Sequence, residues 1–147
     1  MKRIHDAGLV ERFIKHPAIW PFVTDDDCGQ IEDWKPVMAP HVHWLLSDDG
    51  GALFMVYPLQ MRLWEAHSHV LPEFRTNTVG YYRAGMEYLK HNTQCARLLG
   101  FIPSGNYRAK RAAEAAGMKK AAVLARCCMK GGRLIDMTMY EAEIGNV

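Results

Sequence analysis

The sequence predicts an α/β (α+β) fold: a mixed, mostly antiparallel central sheet of six to seven strands flanked by helices. Three observations carry that prediction. Between residues 41 and 70 apolar side chains recur with the period of a strand, not a helix, around an Asp/Gly turn, which reads as consecutive antiparallel strands. The stretch VLPEFRTNTVG, residues 70–80, joins the last of these strands to an amphipathic helix. The chain then closes on AAVLARCCM, KGG and RLIDMTMYEAE, a second hairpin. At 147 residues there is room for one ordinary domain with a proper core, and residues 1–147 are expected to form it.

Taken in order, residues 1–7 read as a short first strand, and Leu9, Val10, Phe13 and Ile14 lie at helical spacing until Pro17 ends the run. Trp20 and Phe22 are expected to anchor the next segment, and Asp25–Asp27 to form a solvated turn or helix cap. Residues 35–40, with two prolines, read as a connector. HVHWLL, SDDGG and ALFMVYPL make a hairpin, and after a turn at residues 58–60 the strand of residues 61–70 puts Glu65, His67 and His69 on one face. Trp44, Phe54 and Trp64 are core candidates. The next helix begins near Thr78 and offers Val79, Tyr82, Met86 and Leu89 as its apolar stripe. RLLGFIP is a short strand, after which Ser104 or Asn106 caps a helix with Ala109, Ala112, Ala113 and Ala116 on one side. Lys110 and Glu114 are spaced to pair along that helix, and Gly117 closes it.

Composition excludes several classes. The chain is 49% apolar, no run approaches the ~18 residues of a membrane span, and MKRIHDAGLVERF carries charge where a leader would be apolar. A soluble, cytoplasmic protein with no membrane partner is expected. Cys127 and Cys128 are adjacent while Cys28 and Cys95 stand alone, so reduced, mostly buried thiols are expected in place of a disulfide framework. His67 and His69, with His41 and His43 on a neighbouring strand, lack supporting Cys or acidic ligand spacing, and Asp25–Asp27 lacks the alternation of a calcium loop, so no metal is expected. Net charge is only +2, but residues 75–133 hold twelve basic against two acidic side chains, and residues 1–74 six against eleven. A basic central half suits a polyanion. Nucleic acid is not the expected one, because basic and aromatic residues do not interleave.

A phosphate-rich cofactor fits the junction at residues 70–80. Strand, Pro72 breaker and helix start bring unpaired N–H groups and a positive helix end to one spot. Thr78 is placed to cap the helix, and Asn77 and Gly80 to allow close backbone approach.

The order of elements, the strand ending V-L-P-E-F-R before loop and helix, and the later N-x-x-A-(x)7-G-M run (Asn106, Ala109, Gly117, Met118) resemble the GNAT superfamily of acyl-CoA-dependent N-acyltransferases. The resemblance runs from about residue 41 to the end. It implies that Arg75, Thr76, Asn77, Thr78, Val79 and Gly80 form the loop around the pyrophosphate of acetyl-CoA. It also sets Val70 and Leu71 beside the pantetheine arm, offering backbone N–H to the reacting carbonyl, and has Asn106 open the bordering helix. The expected activity is acetyl transfer from acetyl-CoA to an amine acceptor, a small molecule or a protein, with Glu65 or His67 relaying the amine proton. For the acid that protonates the thiolate, Tyr107, Tyr81 and Tyr82 are alternatives that spacing does not separate. Loops at residues 20–34 and the final hairpin are expected to shape the acceptor pocket. Thr78 stands for the first glycine of the family loop, Ala113 for a tyrosine often used as the acid, and Met118 for a usual phenylalanine. A second reading follows from those departures: a catalytically weak or inactive protein of this fold with a structural or binding role. The run from His16 to Phe22, H-P-x-I-x-P-F, looks like that of phage-encoded GNAT-like proteins, which would make a phage structural protein the partner and the host cytoplasm or virion the location. A homodimer is the remaining partner considered.

Overall fold

The period-two stretch after residue 41 folds as three successive antiparallel strands, and the helical stretches on either side of it close over the two faces of the resulting sheet. The computed structural model describes residues 1–28, 33–34 and 36–145. Residues 29–32 and 35, part of the expected acceptor-side loop and connector, lie outside the described residues. In chain order the elements are β1 (Lys2–Ile4), α1 (Ala7–Ile14), α2 (Trp20–Val23), β2 (His43–Leu46), β3 (Ala52–Pro58), β4 (Leu63–Val70), a 3-10 turn (Pro72–Asn77), α3 (Thr78–Asn92), β5 (Arg97–Pro103), α4 (Tyr107–Ala116), β6 (Lys119–Lys130) and β7 (Arg133–Glu143). The seven strands form one sheet in the order β1-β2-β3-β4-β5-β7-β6, antiparallel throughout except for β4 beside β5. The expected fold class is thus shown.

Two apolar layers hold the helices on. On one face Phe54, Val56, Trp64 and Leu98 pack against Tyr81 and Leu89 of α3, with Met118 at the edge. On the other, Leu53 and Trp44 pack against Val10 and Ile14 of α1, with Trp20 and Val23 of α2 partly covered. Even-numbered residues of β4 serve the first layer, which leaves Glu65, His67 and His69 on the α1 and α2 face, as strand alternation predicts.

Several local expectations are corrected. Of the expected α3 stripe, Leu89 is buried and Tyr82 and Met86 pack partly covered against the same core, but the fully buried line runs through Tyr81, Gly85 and Leu89. A Cβ on Gly85 would meet the Phe54 ring at 2.9 Å, so only glycine lets the helix sit this close to β3. Phe22 is 69% exposed and is not part of either apolar layer, contrary to its expected role as an anchor. Lys110 and Glu114 do not pair: Lys110 Nζ lies over the Tyr107 ring, and Glu114 accepts from the buried Tyr140 hydroxyl at 2.7 Å. Cys95 alone among the cysteines is buried; Cys28 and Cys127 are exposed.

Candidate functional site

β4 and β5 run parallel and side by side for three residue pairs only, Leu63↔Arg97, Trp64↔Leu98 and Glu65↔Leu99. Beyond Glu65 the strands part, although β4 continues to Val70 and β5 to Pro103. The Leu71 N–H donates to the Gly51 carbonyl at 3.0 Å, on the β3 side. Because backbone groups alternate along a strand, the amides of Ser68 and Val70 therefore point the other way, into the gap. Val70, which the sequence reading assigned to the cofactor arm, lies on the unpaired edge of β4. Leu71 is not a free donor, since Gly51 takes its N–H, and Ser68 was missed because its role depends on which side β5 lies. The gap starts narrow: a Cβ on Gly100 would stand 3.9 Å from the Ala66 carbonyl oxygen and 3.6 Å from Met118 Cε.

Each parallel strand feeds a helix at the open end of the gap, so two positive helix ends share one mouth. The expected open loop before α3 is instead a 3-10 turn, Pro72–Asn77, and Thr78 is the first residue of α3, not its cap. The Thr78 hydroxyl donates back to the Arg75 carbonyl at 2.7 Å, and Asn77, at the cap position, makes no side-chain capping bond. α4 follows expectation, with Asn106 Oδ1 accepting from the Ala109 N–H at 3.2 Å; Ser104 turns to Thr138 instead. Arg83 of α3 donates to the Ala115 carbonyl of α4 at 2.8 Å and holds the two helices together. The Arg75 guanidinium donates to the Ala18 carbonyl at 3.3 Å, and Thr76 is exposed beside it. Asn77 and Gly80 line a cleft of about 290 Å³ with Asp48 and Asp49, so that flank of the helix start is acidic; Val79 is half-buried. A larger cleft, about 470 Å³, lies between α3 and the far end of α4 and is lined by none of the predicted catalytic or cofactor-binding residues.

Where the strands part, a polar cluster occupies the α1 and α2 face. Glu65 Oε1 is 2.8 Å from His67 Nε2, and Tyr57, directly across on β3, lays its ring parallel to the imidazole at 6.0 Å with its hydroxyl 3.4 Å from Nε2. The His67 bond, which outweighs burial, holds the Glu65 carboxyl below the usual range, and the Tyr57 hydroxyl adds to it. Burial, then the bond to Glu65, pushes the Tyr57 hydroxyl up to about 12. His69 is buried and kept neutral, its pKa driven down to about 3 by burial and then by His67. Tyr57 was missed because its partnership with Glu65 exists only in the hairpin register. The three candidate acids separate: Tyr81 donates to Asp49 at 2.6 Å, Tyr107 is 70% exposed at the start of α4, and Tyr82 shares a 2.9 Å hydroxyl contact with Ser68 on the gap. His43 faces the other layer, edge-on to Trp64, and among the described residues no three His, Cys, Asp or Glu side chains gather to hold a metal.

A parallel strand pair that opens part-way along an otherwise antiparallel sheet, with a helix start after each strand, defines the GNAT acyltransferase fold, and this chain has it. A spermidine N-acetyltransferase from Vibrio cholerae, solved with CoA and spermine, superposes with a TM-score of 0.79 at 11% identity, over 97% of this chain and 94% of that one. The smu.2055 protein of Streptococcus mutans gives 0.76 at 15% identity over 98% and 99%. A GNAT-family acetyltransferase of Bacillus anthracis gives 0.63 at 13% over 75% and 70%. No protein-family model and no curated protein matches the sequence itself.

Proposed function

We propose that this chain is an acetyl-CoA-dependent N-acetyltransferase acting on an amine borne by a small molecule or a protein. The opening between β4 and β5 carries the reading, because it leaves the Ser68 and Val70 amides facing a slot that an extended, hydrogen-bonding arm fits. Ser68 and Val70 would hold the pantetheine arm along β4. Arg75 to Gly80 and Asn106 stand at the mouth, where the helix starts favour phosphate. The bound thioester supplies the acetyl group: the new C–N bond forms as C–S breaks, and the thiolate leaves to be protonated. Glu65 and His67, at the vertex, take the proton the acceptor must lose. Tyr82, whose hydroxyl contacts that of Ser68 beside the gap, is preferred to the exposed Tyr107 as the group that would protonate the leaving thiolate. That CoA and spermine both bind a protein of the same fold supports the choice of donor and acceptor class.

Calorimetric titration with acetyl-CoA tests this directly. Saturable one-to-one binding is expected, and its absence in the wild-type chain refutes the proposal. Arg75→Glu is expected to weaken binding at least tenfold, about 1.4 kcal/mol, with an unchanged unfolding midpoint. Equal affinity in mutant and wild type would remove Arg75 from the site.

A further inference from the structure

The contacts around Glu65 decide which of the two proton-acceptor candidates does the accepting. An ionised carboxylate has no hydrogen to give, so in the 2.8 Å contact the proton must sit on His67 Nε2. In the neutral ring that leaves the lone pair on Nδ1. The Tyr57 hydroxyl, 3.4 Å from the same Nε2, has no lone pair to donate into there; its hydrogen goes to Glu65, with which it is also bonded. Glu65 thus receives donors from its own strand and from β3, which stabilises its charge and makes it the weaker base.

Exposure points the same way. Of the His67 side chain 40% is open against 13% for Glu65, and both of its polar contacts among the described residues are made at Nε2, none at Nδ1. Glu65 is the last β4 residue paired to β5, and His67 follows on the same face where the strands have already parted.

We propose that Nδ1 of His67 is the atom that takes the acceptor's proton, and that Glu65 and Tyr57 are positioning residues that hold the ring for it. This rests on the acetyltransferase reading above. The proton passes from the acceptor nitrogen to Nδ1, the imidazolium is stabilised by the Glu65 carboxylate at Nε2, and solvent takes the proton afterwards. The groups facing the ring are Tyr57 from β3 and Glu65 and His69 from β4; His69 stays neutral and adds no charge.

Two measurements decide it. Nitrogen NMR of the histidine-labelled free protein is expected to show a single neutral tautomer for His67, hydrogen on Nε2, which becomes mixed in Glu65→Ala. Thiol release from acetyl-CoA with a panel of primary amines is expected to fall about 100-fold in His67→Gln and about tenfold in Tyr57→Phe, with calorimetric CoA affinity unchanged in both. A wild-type ring carrying its hydrogen on Nδ1 overturns the assignment. So does His67→Gln that keeps its turnover while Glu65→Gln loses it, or a wild type that binds CoA yet releases no thiol with any amine. Failure of the wild type to bind CoA is a separate result: it removes the transferase reading itself.

Discussion

The two ends of the β4–β5 boundary are built on opposite terms. At the closed end three ladder pairs and the buried Trp64 and Leu98 side chains join the halves of the sheet. At the open end the strands share no ladder, and the halves are linked through the helices, where Arg83 of α3 bonds the Ala115 carbonyl of α4, and by surface contacts from the segment after α1. By comparison β3 and β4 are paired at seven positions, as are β5 and β7. The sheet therefore gives up backbone pairing between β4 and β5, two strands long enough to have continued it, whereas the register shifts between β6 and β7 interrupt a ladder that resumes. Buried backbone groups in folded proteins are paired almost without exception, so this open stretch in mid-sheet is the feature on which the proposed cofactor arm rests.

The sharpest break of this comparison is to empty the closed end. Trp64 is 7% exposed, and its indole N–H donates to the Met61 carbonyl at 3.3 Å. Trp64→Ala is expected to cost about 3–5 kcal/mol in denaturant unfolding, while Ser68→Ala, four residues on at the open end, costs less than about 1 kcal/mol. Similar losses for both would show that the two ends are not distinct.

A smaller effect tests how α3 is fastened to the first half of the sheet. Asp49, in the β2–β3 turn, accepts from the Ser47 hydroxyl at 2.6 Å, the Gly51 N–H at 3.0 Å and the Tyr81 hydroxyl at 2.6 Å. The Ser47 bond, then that of Tyr81, then the Gly51 amide hold its carboxyl down at about 2. A folded pKa below the unfolded one means that the stabilisation is complete above about pH 4 and is lost as pH falls towards 2. Thermal midpoints measured across that window are expected to drop less steeply in Asp49→Asn than in wild type; parallel curves would show that the turn does not hold the helix.

Legibility followed locality. The strands of residues 41–70 and the Asn106 cap were readable because alternation and a single side-chain bond within a turn are written in adjacent residues. The opening itself was not, since it depends on where a parallel strand some thirty residues away stops pairing. Thr78 was misread for a local reason: the 3-10 turn before it moves the helix start back, so its hydroxyl reaches Arg75 instead of a free amide. Gly85 and Tyr57 were invisible because each matters through a partner on another element, the Phe54 ring of β3 for Gly85 and, in the β3–β4 register, Glu65 of β4 for Tyr57. Of the candidate site, the polar face of β4 was legible, and the choice among its donors was not.

The smallest expected effect concerns the contacts that span the open end. The three aspartates after α2 read as a solvated turn, yet Asp26 accepts from the Gly131 N–H at 3.0 Å and the Gly132 N–H at 2.6 Å, at the tip of the β6–β7 hairpin. Both glycines have positive φ, 58° and 71°, which turns consecutive amides toward one carboxylate, and those bonds hold the Asp26 carboxyl below its ordinary range. Lys130 bonds the Pro21 and Thr24 carbonyls, and Arg75 holds the Ala18 carbonyl, so residues 18–26 are tied to both halves of the sheet. These are exposed contacts, and Asp26→Ala is expected to leave the unfolding midpoint unchanged. Hydrogen exchange of the Gly131 and Gly132 amides should quicken several-fold in that variant while Trp64 and Leu98 amides keep wild-type protection. Unchanged exchange in Asp26→Ala, with faster exchange in Lys130→Ala, would move the tie from the carboxylate to the lysine.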